Sequence, residues 1–356
     1  MFLSFRWLPL FLLALAPASA GSAAEFMFRA LVGDREIEGQ PLYWNSSQMV
    51  VLARDGQLEQ FDPRAATQGK KTSAEFIPYS VSETRQRLLE EFGSGFRVTT
   101  SEHYLVVHPA SVSSEWPARF EALYRQFQNY FRVRGFDLSS PQVPLVAIIF
   151  PTRDDYVSYV NRSGAKVQES TLGHYDPRSN RVMMYDQGGQ EGFEDETVST
   201  IVHEATHQAA YNTGLHNRVT TTPRWLVEGL AMMFEVQGVG GTAIGVDREA
   251  RIHAERLQDF RNSLDAQAGT GVLRQLVASD QAFDGDVVAA YGQAWALSFY
   301  LAETRPREYE AYLKLTADRP PLANYPARER VDDFASVFGD NLEQLEAQFL
   351  RWVEAL

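Results

Sequence analysis
The segment Val198-Ser199-Thr200-Ile201-Val202-His203-Glu204-Ala205-Thr206-His207-Gln208 constrains this chain more than any other. Val198, Ile201, Val202, Ala205, Ala209 and Ala210 recur at the spacing of a buried helix. Asn212-Thr213-Gly214 closes it, with Gly214 suited to a left-handed C-terminal position. On such a helix His203 and His207 lie one turn apart on one face, their Cβ atoms roughly 6 Å apart. Imidazoles so placed reach one metal ion at about 2.0–2.1 Å. Glu204 can lean over the same point without being a ligand. The bland reading is a core helix with two satisfied histidines and a surface glutamate. A chain with so few histidines meets the pattern by accident about once in a hundred sequences, and accidents rarely fall on a buried helix.

The chain has 356 residues, enough for two or three units with real cores. Its 44 % hydrophobic and 12 % aromatic content excludes wholesale disorder. A formal charge of −13 leaves no basic field for phosphates, so nucleic acid is not an expected partner. Residues 1–20 read as a secretory signal: Arg6 in front, an apolar stretch from Leu8 to Ala16, and Ala18-Ser19-Ala20 as a cleavage site before Gly21. That stretch is short of the about 20 apolar residues a bilayer span needs, so no stable membrane span is expected. There is no cysteine, which excludes disulfides, thiol catalysis and lipid attachment at the cleavage site. A secreted or periplasmic location is the expectation.

Residues 25–62 read as a small β module, with Gln48–Arg54 and Gln57–Phe61 flanking the turn dipeptide Asp55-Gly56. Residues 63–79 read as a linker. Ser80 and Glu83 make a capping box for a helix through Phe92. Strands are predicted at 96–100, 103–108 and 143–150, helices at 116–134 and 153–161, and a hairpin over 171–186 around Pro177-Arg178-Ser179-Asn180. The acidic patch Glu191, Glu194, Asp195, Glu196 suits the positive end of the motif helix. From Pro223 onward only helices are predicted, near 223–236, 249–262, 270–278, 286–303, 306–316, 330–337 and 341–354.

A catalytic zinc takes three protein ligands and keeps a fourth position for water. The extended motif with a further glycine and histidine fails, because Ala210 and Thr213 stand there. Glu228, in Thr222-Pro223-Arg224-Trp225-Leu226-Val227-Glu228-Gly229-Leu230-Ala231, is the candidate third ligand, a carboxylate in apolar company that needs a partner. Thr222 is the expected cap of its helix, with Pro223 at the first helical position. His216, in the loop after the motif helix, is the rival ligand, and a solvent-facing Glu228 is the bland alternative.

These motifs, His203 to His207 followed by Trp225 to Ala231, resemble the gluzincins, the thermolysin-like superfamily of zinc peptidases. Residues from about 80 to 356 resemble more closely a bacterial secreted domain-of-unknown-function family with a peptidase-MA-like fold. The segments 103–109, 130–136 and 291–297 add to that likeness. The resemblance implies zinc held by His203, His207 and Glu228, with Glu204 as general acid/base acting on a metal-activated water, and a peptide or protein substrate. It also implies an oxyanion donor from the helical half, for which Tyr291 fits by chain order; a helix tyrosine packed on Trp295 is the competing reading. Relatives carry a strand that pairs with substrate backbone; the hairpin 171–186, with His174 in it, is the candidate. Tyr211 reads as packing or as a neighbour of the ligands.

The expected fold class is therefore α+β and zincin-like. It has a mixed β-sheet with the motif helix over residues 80–236, an all-helical half over 237–356, and the small N-terminal β module. Two alternatives stay open: a non-catalytic zinc-binding envelope protein, and an interaction protein that works through its β module.

Overall fold
Short apolar stretches between turn residues build the N-terminal sheet. The fold, taken from a computed structural model, is described for residues 26–111, 115–162, 172–186, 194–236, 248–267 and 271–356. The expected signal segment, 1–20, lies outside them. The chain divides into two units, Met1–Ile77 and Pro78–Leu356. In the first, β1 (Met27–Val32), β2 (Arg35–Trp44), β3 (Met49–Ala53), β4 (Leu58–Phe61) and β5 (Ala66–Ser73) form an antiparallel sheet in the order β4-β3-β2-β1-β5. Gly56, at φ 85°, makes the tight turn between β3 and β4. Ile37, Met49 and Val51 form its small core, with Trp44 and Phe61 packed on them.

The expected linker 63–79 is corrected by this sheet. Ala66–Ser73 is β5, paired with β1 through Phe28↔Lys71, Arg29↔Lys70 and Leu31↔Thr67. Its sequence, ATQGKKTS, is almost wholly polar and exposed, so nothing in its pattern announces a strand. The pairing comes from backbone groups at the β1 edge, and side-chain periodicity carries no record of that.

In the second unit, α1 (Val81–Phe92) begins with the Ser80–Glu83 capping box and ends at Gly93, φ 71°. There follow β6 (Phe96–Thr100), β7 (Tyr104–Pro109), α2 (Trp116–Arg132), β8 (Leu145–Phe150), α3 (Arg153–Arg162), β9 (Gly173–Asp176) and β10 (Arg181–Tyr185). The sheet order is β6-β7-β8-β10-β9, parallel at β7/β8 and β8/β10 and antiparallel at both ends. β8 is apolar throughout because it is covered on both faces. Leu145, Ala147 and Ile149 join the core of α2 and the motif helix, α4 (Glu194–Asn212), whereas Val146, Ile148 and Phe150 face Leu88 and Tyr156 of α1 and α3.

Beyond α4 the described residues are helical: α5 (Arg224–Phe234), α6 (Ala254–Gln267), α7 (Val272–Ala278), α8 (Val287–Thr304), α9 (Pro306–Ala317), α10 (Ala327–Phe338) and α11 (Leu342–Glu354). α8 is buried along most of its length and packs on α5 and α6. Two glycines allow these close approaches. A Cβ on Gly229 would lie 2.2 Å from Ser298 Oγ, and one on Gly292 would lie 2.6 Å from Phe260 N. The α+β class, with an N-terminal β module and a helical C-terminal half, is as expected. Among the described residues no helix is long and apolar enough to cross a membrane.

Candidate metal centre
The motif helix is fastened to the sheet by buried amides. Gln208 Nε2 donates to the carbonyls of Val146 and Asn180 at 3.1 and 2.7 Å, tying α4 to β8 and to the β9–β10 turn. Asn180, at φ 60°, exchanges side-chain hydrogen bonds with Asn212 at 2.9 and 2.7 Å, and Tyr175 donates its hydroxyl to Asn180 at 2.8 Å. The hairpin register relative to α4 is thereby fixed. Gly214, φ 88°, ends the helix region as the sequence predicts.

On the opposite face of α4 the candidate ligand atoms converge. His203 Nε2 and His207 Nε2 are 2.9 Å apart, and Glu228 Oε2 lies 3.3 and 3.7 Å from them. Glu228 reaches this point from the second turn of α5, which Gly229 lets settle against α8. The expected local cap by Thr222 is corrected. Thr222 Oγ1 has no hydrogen-bond partner, and the helix starts one residue later than expected, at Arg224. Its first N–H donates instead to Asp280 Oδ1 at 2.9 Å, a carboxylate clamped by Arg330 at 2.7 and 2.8 Å. Pro223 fixes the entry backbone, and a long-range carboxylate completes what the local hydroxyl does not.

Burial opposes charge on His203, but the carboxylates of Glu228 and Glu235 outweigh it and hold its pKa well above the ordinary value. His207 goes the other way: burial and the neighbouring His203 charge bring it down to about 4. Glu228 is penalised by burial, yet both imidazoles draw it down to about 2. Two facing Nε2 atoms can share only one proton, and the carboxylate beside them demands positive charge. Replacing that proton with a cation relieves the conflict, so the donor set fits zinc.

One residue of this centre escaped the sequence reading. Glu235 Oε1 lies 2.6 Å from His203 Nδ1, and its Oε2 lies 2.9 Å from His253 Nε2. A carboxylate on the far nitrogen of a ligating imidazole sets its tautomer and raises its basicity. The signal was spacing: Glu235 stands seven residues, about two turns, after Glu228 and so on the same face. His253 is reached only through the fold.

Glu204 lies close enough to this cluster to feel the charges of His203, Glu228 and Glu235. Its Oε2 accepts the backbone N–H of Tyr175, on the edge strand β9, at 2.5 Å. Burial pushes its carboxyl up to about 7, against the pull of His203 and the Tyr175 N–H. Tyr291 interacts with both Glu228 and Arg224, and burial with the Glu228 charge pushes its phenol up to about 12. Its ring contact is edge-on to Phe283 at 5.7 Å, whereas Trp295 stacks on Phe299.

The other candidates lie elsewhere. His216 is buried without a protein partner for either ring nitrogen and stands outside the ligand cluster; burial brings it down to about 3. Its ring packs 5.2 Å from Tyr211, which in turn stacks on Tyr175 at 5.6 Å. His174 shares its sheet face with Met183, its register partner, and accepts or donates at Tyr156 Oη at 2.8 Å. That face is turned away from α4. Glu191 of the acidic patch, like the side chains of Glu194 to Glu196, lies outside the described residues.

A second histidine–carboxylate grouping, Glu102, His103 and Glu121, occurs among the described residues. Glu121 is spent there on the turn, accepting from Ser101 Oγ and His103 N at 2.8 and 2.9 Å, and Arg125 supplies the cation.

Residues 197–323, which span the motif helix, α5 and part of the helical half, match a family described as a protein of unknown function, DUF1570. No curated protein matches. Among solved structures, the chain is similar to a functionally unknown conserved protein from Bacillus anthracis str. Ames at 8 % identity and a TM-score of 0.34, over 94 % of this chain and 70 % of that one.

Proposed function
We propose that the chain is a secreted or periplasmic zinc-dependent peptidase of gluzincin type, with His203, His207 and Glu228 holding the metal and Glu204 as general acid/base. The observation that carries this reading is the convergence of two Nε2 atoms and one carboxylate oxygen within 3.7 Å, with Glu204 beside them on the next residue of the same helix. A metal-holding site that served only the fold would be closed by four ligands and would have no use for Glu204.

Zinc, when bound, supplies Lewis acidity that lowers the pKa of a water and polarises a carbonyl. The rest is done by the protein. Glu204, beside the metal position on the motif helix, takes a proton from water and returns it to the leaving amine. The Tyr175 N–H holds the carboxylate oxygen that is not needed for that transfer. Glu235 keeps the Nε2 lone pair of His203 directed at the metal position by binding Nδ1. Tyr291 donates its hydroxyl to the developing oxyanion. β9, at the sheet edge beside Glu204, offers backbone groups to an extended peptide.

The deciding experiment replaces Glu204 by Gln in zinc-loaded protein and assays hydrolysis of a peptide library. Activity is expected to fall by about 10²–10⁴-fold with zinc retained. Undiminished activity in Glu204→Gln would remove the mechanism. Wild-type protein that binds zinc but cleaves nothing would favour a non-catalytic zinc-bearing protein.

A further inference from the structure
Arg224 opens α5 one turn before Glu228, and it meets that carboxylate from the side away from the imidazoles. Its Nε lies 3.9 Å from Glu228 Oε1, while Oε2 faces His203 and His207. A separation of 3.9 Å is too long for a hydrogen bond, so Glu228 does not consume the guanidinium. The planar group rests 4.6 Å above the ring of Phe283, which is itself 3 % exposed and therefore a fixed platform. The Arg224 side chain nonetheless remains 41 % exposed. Among the described residues, no carboxylate pairs with its Nη atoms at hydrogen-bonding distance. Three carboxyl groups, those of Glu204, Glu228 and Glu235, gather around the two imidazoles, within a chain of charge −13.

The Tyr291 hydroxyl is a neighbour of the Arg224 guanidinium, and a positioned guanidinium that pairs closely with no carboxylate among the described residues matches a substrate carboxylate in shape and charge. Beside three carboxyl groups it is also the group that decides whether an anionic substrate is admitted or repelled. We propose that Arg224 anchors substrate, and that the peptides it selects carry a carboxylate close to the scissile bond, either a free C-terminus or an acidic side chain. This rests on the zinc-peptidase reading of the neighbouring centre.

The test uses zinc-loaded full-length protein and three peptide hydroxamates that differ only at the last residue: leucine as the free acid, leucine amide, and glutamate amide. Calorimetric titration of the wild type should show an anionic compound binding about tenfold more tightly than the leucine amide. The free acid gaining alone assigns the anion to the terminus, and the glutamate amide gaining alone assigns it to a side chain. In Arg224→Gln the difference should vanish, and in Arg224→Lys part of it should survive. Equal binding of all three by the wild type, or a preference intact in Arg224→Gln, overturns the proposal. Should Arg224→Gln fail to fold, the wild-type ratio and its decrease in Arg224→Lys still decide. Hydroxamate binding without an anion preference leaves the peptidase reading standing, whereas absence of zinc or of any hydroxamate binding removes both.

Discussion

Glu235 grips His203 from behind: its carboxylate lies 2.6 Å from Nδ1, on the opposite edge of the ring from the nitrogen that faces His207 and Glu228. The same carboxylate binds His253 with its other oxygen at 2.9 Å. Replacing Glu235 by Gln should weaken zinc binding by roughly 10–100-fold without abolishing it. Competition against a chelator of known affinity measures this. Wild-type affinity in the variant would mean that the contact orients nothing.

Tyr291 distinguishes catalysis from packing. As an oxyanion donor, its hydroxyl should matter to turnover and little to ground-state binding. Tyr291→Phe is expected to lower kcat about 10²-fold with KM within about twofold, while thermal stability stays near wild type because the ring contact with Phe283 remains. A variant with unaltered kcat makes the residue a packing tyrosine.

The clamp at the start of α5 predicts an acid sensitivity. Burial raises the pKa of Asp280, but the hydrogen bonds from Arg330 and the Arg224 N–H outweigh it, so the net shift is downward. A depressed folded-state pKa gives stability that is complete above the unfolded value of about 3.9 and is lost as pH falls through the folded value. Asp280→Asn should be less stable than wild type at neutral pH by on the order of 1–3 kcal/mol, since Arg330 is buried and loses its partner. The gap should narrow as pH drops below about 4. Denaturant melts across that range check it; a gap that widens toward low pH contradicts the assignment.

Gly229 tests how α5 brings Glu228 to the histidines. A methyl group there meets Ser298 Oγ and the Ala294 carbonyl, of which the carbonyl cannot turn aside. Gly229→Ala should cost about 1–3 kcal/mol and weaken zinc binding, because α5 must move off α8 and take Glu228 with it. Thermal unfolding with and without zinc reads both effects. An unshifted melting temperature would show the helix contact to be looser than its geometry implies.

Much of this protein is written locally. Helical spacing places His203, Glu204 and His207 on one helix, the Ser80–Glu83 box starts α1, and Gly56, Gly93 and Gly214 sit where a left-handed residue is needed. The apolar run of β8 and the long apolar pattern of α8 identify buried elements before any contact is known. Such features are legible because they depend on residues within one or two turns, and periodicity records those. Glu228 was legible too, as a carboxylate in apolar company that lacked a local partner.

What the sequence left open was settled by groups far apart in the chain. β5 is a strand because the edge of β1 offers it backbone partners, and its polar side chains do not record this. Asp280 supplants Thr222 at the head of α5 from more than fifty residues away. His216 is excluded from the candidate ligand cluster, and His253 is brought to Glu235, by the packing of distant segments on one another. Side-chain chemistry supplies the candidates, but distance in space selects among them, and distance is a property of the folded chain as a whole.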